Sequence, residues 1–102
     1  MAMKNLTAII SPEMVEPVEE RLRRLGVPGL SVSHTKGYGA YKNFYQRDLM
    51  TTNARLQLFL AEERVAEVVS AIRDVMGPAV EDGGILAVSP VDEFHQLSSQ
   101  TA

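Results

Sequence analysis

At 102 residues, 45% of them apolar, the chain has the size and composition of a single globular domain. Its formal net charge of −3 and pI near 5.3 speak against a general nucleic-acid binder, which carries a basic excess. It has no cysteine, which excludes a disulfide framework or a thiolate metal site, and no apolar run approaches the roughly 18 residues that cross a bilayer.

The N-terminal "MAMKNLTAII" lacks the long apolar region and cleavage site of a signal peptide, so a soluble cytoplasmic protein is expected. In "NLTAII", Leu6, Ala8 and Ile10 alternate with Thr7 and Ile9, as in a strand buried on at least one face. "SPEMVEP" interrupts it, and Pro17 is predicted at the first helical position, where a missing N–H is harmless. Val18, Leu22 and Leu25 then recur at helical spacing, and Gly26 sits where a left-handed residue ends a helix. "LSVSHT" predicts a half-buried strand, with Leu30, Val32 and His34 alternating against Ser31, Ser33 and Thr35.

The segment 33–48, "SHTKGYGAYKNFYQRD", follows neither period. "NARLQLFL" resumes the strand pattern, with Ala54, Leu56, Leu58 and Leu60 on one face. Residues 61–76 read as one helix, with Val65, Val68, Val69, Ile72, Val75 and Met76 in an apolar stripe that Gly77-Pro78 stops. "EDGG", a strand "ILAVSPV" and a polar tail over about 92–102 complete the chain. The tail is expected to fray unless something pins it.

The order β-α-β-β-α-β predicts an α+β, ferredoxin-like fold. One four-stranded antiparallel sheet carries two helices on one face. The other face, with Ile9, Phe59 and Ile85 among its candidates, would be bare in a monomer, which points to a covering subunit. A chain this short leaves little room for a deep pocket, and a ligand site between subunits fits that constraint.

Little in the sequence suggests catalysis. Glu62–Glu63 and Glu81–Asp82 fall at a helix start and in a turn, where acids serve the helix dipole and turn geometry. No Ser-His-acid grouping stands out, so no catalytic residue is assigned and an enzyme is not expected. His34 and His95 are far apart and lack ligand spacing, so no metal site is assigned within one chain. An RNA-binding reading of the fold wants aromatics on central strands, and the third strand offers only Phe59. The glycine turns "TKGYG" and "EDGG" remain, because they let backbone N–H groups approach an anion.

The stretch "LRRLGVPGLSVSHTKGYG" resembles the PII signalling signature "LxxLGVxGLTVxEVKGFG", and "DGGILAVSPV" is similar to that family's "GDGKIFVSPV". The resemblance runs in register through nearly the whole chain. It implies a single PII-like domain and a homotrimer that binds adenine nucleotides in three clefts between subunits. It also implies a T-loop, about residues 40–52, that docks on a protein partner such as a transporter or enzyme, and a phosphate-cradling B-loop, about 78–84. Carried over by position, Ser31 replaces the family's adenine-contacting Thr. Gly37, Tyr38 and Gly39 form the turn at the base of the T-loop. Asp82, Gly83 and Gly84 fall in the B-loop. Lys36, Lys42 and Arg55 are the remaining cations near the cleft, and Tyr41, Lys42, Phe44, Tyr45 and Arg47 make up the partner-docking loop.

Departures from the family pattern narrow the ligand. The T-loop is shorter than usual, and Tyr41 replaces the Gln that helps hold Mg-ATP and 2-oxoglutarate. Ile85 stands at the B-loop Lys, and Gln96 and Ser98 stand at two C-terminal Arg positions. Charge-assisted hydrogen bonds are each worth roughly 1.5–3 kcal/mol, so these losses favour ADP or AMP over ATP. The expected function is a regulatory sensor of such an effector, with or without an anion such as bicarbonate, that controls a partner through the T-loop. The alternative is a metal- or anion-binding trimer of the copper-tolerance (CutA-like) kind using His34 or His95, or a PII-like protein linked to heavy-metal efflux.

Overall fold

The protein is represented by a computed structural model, and the structure describes residues 2–37, 51–77 and 84–97. Strand β1 (Met3–Ile10) leads through a 3₁₀ turn, Pro12–Met14, into helix α1 (Val15–Arg24). Strands β2 (Ser31–Gly37) and β3 (Thr51–Ala61) follow. A second 3₁₀ turn, Glu62–Arg64, opens helix α2 (Val65–Met76), and strand β4 (Ile85–Val91) closes the fold. The sheet order is β2-β3-β1-β4, with every neighbouring pair antiparallel. This is the expected ferredoxin-like βαββαβ arrangement.

Side chains alternate across a strand, and cross-strand partners share a face, so the register assigns each residue to one side. Leu6 pairs with Leu58 and Val88, and Ala8 with Leu56 and Leu86. Leu6, Ala8, Leu56 and Leu58 meet Val18 and Leu22 of α1 and Val68, Ala71 and Ile72 of α2 in one core, with Leu86 packed against it, whereas Val88 stays exposed. Leu6, Ala54, Leu56, Val18 and Val68 have no exposed surface at all. The predicted apolar faces of β1, β3 and α2 are therefore the faces that pack.

Three local readings need correction. Helix α1 begins at Val15, not at Pro17. The first four N–H groups of a helix have no intrahelical partner, so a proline anywhere in the first turn loses nothing. The stretch 61–76 is not one helix: Ala61 still belongs to β3, opposite Met3, and the 3₁₀ turn precedes α2. Strand β2 is not half-buried, because Ser31 through His34 are all exposed. It lies at a sheet edge, and Val32, although on the helix side opposite Leu56, keeps 39% of its surface in solvent.

Helix α1 ends as its glycine predicts. Gly26 has φ 85°, the Val27 N–H donates to the Leu22 carbonyl at 3.0 Å, and the Gly26 N–H donates to the Arg23 carbonyl at 3.0 Å. This is the paired C-terminal bonding that a left-handed residue permits. Arg64 adds a donor from Nη2 to the Leu25 carbonyl at 2.7 Å, which fixes the start of α2 to the end of α1. Gly26→Ala is expected to cost about 1 kcal/mol, the lower end of the left-handed penalty for an L-residue. A lowered urea midpoint with unchanged slope is the check.

Candidate functional site

Both glycine-turn segments leave the same end of the sheet. Gly37 pairs with Thr51, Ile10 with Ala54, and Ile9 with Ile85, so the exits of β1 and β2 and the entries of β3 and β4 lie together. Strand β3 begins at Thr51, two residues inside the expected limit of the long loop. Tyr38, Gly39, Tyr41, Lys42, Phe44, Tyr45 and Arg47 lie outside the described residues, as do Asp82 and Gly83.

Across the width of the sheet the two segments are far apart. Strand β2 is one edge and β4 the other, separated by three strand spacings of about 4.8 Å each. Ser31, Lys36 and Gly37 belong to the first edge, and Gly84 opens the second. Arg55 lies one strand in, on β3. The register divides them further. Ser31, Gly37 and Arg55 lie on the face away from the helices, whereas Lys36 is on the helix side. Lys36, Gly37, Arg55 and Gly84 thus lie toward one end of the sheet, whereas Ser31, opposite Gln57, is six residues back along β2, and the described site residues are not gathered into one pocket within one chain.

Their local chemistry differs. The Ser31 hydroxyl donates to the Gln57 carbonyl across the strand at a long 3.4 Å. Its proton directed inward leaves oxygen lone pairs as acceptors, the role that an amino group on a ligand requires. Arg55 is exposed and in register with Ser33 and Ile9 on the open face. Gly84 has φ 87°, and a methyl group built on it would overlap the Ile9 carbonyl oxygen and come within 3.1 Å of the Ile9 carbonyl carbon. This glycine is thus required by contact with β1 as well as by its positive φ.

One cation that the sequence reading left out lies near this glycine. Arg73, in the last turn of α2, lines a cleft of about 530 Å³ together with Gly77, Gly84 and apolar side chains such as Met76 and Leu86. It makes no ion pair among the described residues, whereas its neighbour Asp74 accepts from Arg21 at 2.8 Å. A basic residue in a last helical turn reads as a complement to the helix dipole, and that ordinary role conceals its position beside Gly84. His34, opposite Ala54, and His95, beyond Val91 and bonded to Glu93 at 3.0 Å, belong to opposite ends of the sheet. One chain does not bring these two histidines together.

The family model described as "Nitrogen regulatory protein P-II" matches residues 3–100. The chain belongs to the P-II family. It is 30% identical over 103 residues to the nitrogen regulatory protein P-II of Rhizobium meliloti (strain 1021), covering 93% of this chain and 91% of that one. Against the P-II protein of Cereibacter sphaeroides it is 31% identical over 99 residues, 89% of this chain and 88% of the relative. The nitrogen regulatory protein GlnK of Escherichia coli (strain K12) is 30% identical over 90 residues, with 81% and 77% covered. A crystal structure of Arabidopsis thaliana PII bound to citrate superposes with a TM-score of 0.73 at 20% identity, covering 87% of this chain and 74% of that one. That last likeness concerns the fold.

P-II proteins are regulatory signalling proteins rather than enzymes, and they act as trimers that engage partner proteins. Among the described residues no helix is long and apolar enough to cross a membrane.

Proposed function

We propose that this P-II protein is a cytoplasmic homotrimeric sensor that binds an adenine nucleotide, ADP or AMP before ATP, in clefts between its subunits. The observation that carries this reading is the separation of Ser31, Lys36 and Gly37 from Gly84 on opposite sheet edges. A second chain, bringing its β4 edge beside the β2 edge of the first, supplies what one chain lacks. The helix-free face supports the same reading, since Phe59 and Ile85 keep 46% and 44% of their surface exposed there.

The adenine end falls to Ser31, whose acceptor lone pairs suit an exocyclic amine. The phosphate end falls to Lys36, Arg55, the turn Gly37–Gly39 and the segment Asp82–Gly84. Tyr41, Ile85, Gln96 and Ser98 stand where the family places one polar and three cationic ligand contacts, which lowers the preference for a triphosphate. Effector binding at the base of the loop shifts the population of loop conformations that dock a protein partner, such as a membrane transporter, through Tyr41, Lys42, Phe44, Tyr45 and Arg47. An anion such as bicarbonate is a candidate co-ligand of the mono- or diphosphate.

Titration calorimetry of the purified assembly with ATP, ADP, AMP, Zn²⁺ and Cu²⁺ tests the reading. ADP or AMP is expected to bind at least as tightly as ATP, with no heat from either metal. Metal binding that vanishes in His34→Ala and His95→Ala would instead favour a metal-binding trimer. No heat from any nucleotide would remove the sensor reading.

A further inference from the structure

The helix side of the sheet holds a cleft that the nucleotide reading does not use. It lies between α2, the end of β1 and the start of β4, and encloses about 530 Å³. Small-molecule sites run from roughly 300 to 1,000 Å³. Ile10, Val69, Ile72, Met76 and Leu86 supply most of its wall. Ser31 and Arg55 face the other side of the sheet, so the sheet itself separates this cleft from them.

Its chemistry is one-sided. Among the described residues Arg73 supplies the only charged or polar side chain of the lining. Arg73 makes no ion pair among those residues, and the nearby acids are committed elsewhere. Asp74 is held by Arg21 at 2.8 Å and Glu67 by Arg64 at 3.2 Å. Complementing the helix dipole does not use up a guanidinium with five N–H donors.

The lining decides what can enter. A sugar or a polyphosphate would bury polar groups against side chains that return no hydrogen bonds. A cation would be repelled by Arg73, and a neutral hydrocarbon would leave the guanidinium without a partner. An apolar body that ends in one carboxylate meets both demands, because guanidinium and carboxylate pair through two parallel hydrogen bonds. The flexible thioether chain of Met76 adapts the wall to such a body.

We propose that this cleft binds a medium-chain carboxylic acid, with its hydrocarbon against Ile10, Ile72, Met76 and Leu86 and its carboxylate on Arg73. The site is complete within one chain and does not depend on the assembly or on the nucleotide. Gly84 belongs to its wall and also rests on the Ile9 carbonyl, so an occupant bears directly on the start of β4.

Octanoate is the probe, titrated into the ¹⁵N-labelled full chain and followed by amide chemical shifts. Saturable shifts are expected at Ile10, Arg73, Gly77, Gly84 and Leu86, and none at Ser31 or Gln57 on the other face. Arg73→Gln should weaken octanoate binding by about tenfold or more, the loss of a charge-assisted pair. Arg73 is exposed, so this variant keeps the fold. Octan-1-ol, which lacks the charge, should bind both proteins equally and more weakly than octanoate binds the wild type. Met76→Glu gives Arg73 a carboxylate of its own and should block octanoate. If octanoate produces no saturable shift in the wild type, the cleft takes no ligand and this inference is wrong. It is equally overturned if Arg73→Gln binds octanoate as tightly as the wild type, if octan-1-ol matches octanoate, or if the shifts fall on the Ser31 face.

Discussion

Gly84→Ala is expected to destabilise the fold by about 3 kcal/mol, the sum of left-handed strain and the displacement of a packed neighbour. The backbone at φ 87° disfavours any L side chain, and the new methyl group would meet the Ile9 carbonyl oxygen with Ile10 Cα only 3.2 Å away. Ile9 and Ile10 end a central strand that is bonded on both sides, so neither can withdraw without opening the β1–β3 or β1–β4 ladder. For a domain of this size that energy corresponds to a fall in Tm of roughly 10 °C or more. Gly29→Ala is the control, because nothing lies within 4 Å of its added carbon. It should stay within about 0.5 kcal/mol of the wild type, as surface changes do. Equal stability of the two variants would mean that the start of β4 is not held against Ile9 as described.

Ala87→Glu is expected to leave the chain folded and to abolish both assembly and nucleotide binding. Ala87 is exposed on β4, opposite Thr7 and away from the helices, so a monomer accepts a solvated carboxylate there. In an assembly that covers this face the same carboxylate is buried without a partner, at a cost of several kcal/mol per ion. At 1.4 kcal/mol per factor of ten, association should weaken by about a thousandfold. Binding should disappear with it, because the Ser31 and Gly84 edges then never meet. Sedimentation and calorimetry on one preparation separate the possible failures. An unaltered assembly would show that this face is not the interface. A monomer that binds nucleotide with wild-type affinity would place the site within a single chain.

The parts of the fold legible in the sequence are those where periodicity and burial coincide. Leu6, Ala8 and Ile10 alternate because β1 is central and covered on one side only by helices. Val65, Val68 and Ile72 recur at helical spacing because α2 turns one stripe inward. Strand β2 shows where that inference stops. Leu30, Val32 and His34 alternate too, but burial depends on rank in the sheet, and rank is set by which strands pair. Periodicity carries no such information. Phe94 meets Phe59 of β3, with ring centroids 5.7 Å apart, yet no local pattern links a tail residue to that strand, and the contact depends on the path of the chain after Val91.

The candidate site was legible in a different way. Ser31, Lys36, Gly37 and Gly84 stand out through two motifs that resemble a family signature, not through any spacing that shows what they bind. Their distribution over two edges follows from register. Arg73 was obscured because a cation in a last helical turn already has an ordinary explanation. Gly84 carries two demands at once, a positive φ and the close approach to Ile9, and the glycine-rich motif hints only at the first.

The sheet order has a consequence for how clefts of the proposed kind would come into being. A contact that joins the β2 edge of one chain to the β4 edge of the next is directional, since it uses two different surfaces. A pair of chains completes one cleft and leaves two raw half-sites, one of each kind. Adding a chain moves those half-sites apart without removing them, and only closure of a ring consumes both. Each chain in the ring then borders two clefts, so the number of complete sites equals the number of chains, and no effector can occupy one site without touching two neighbours.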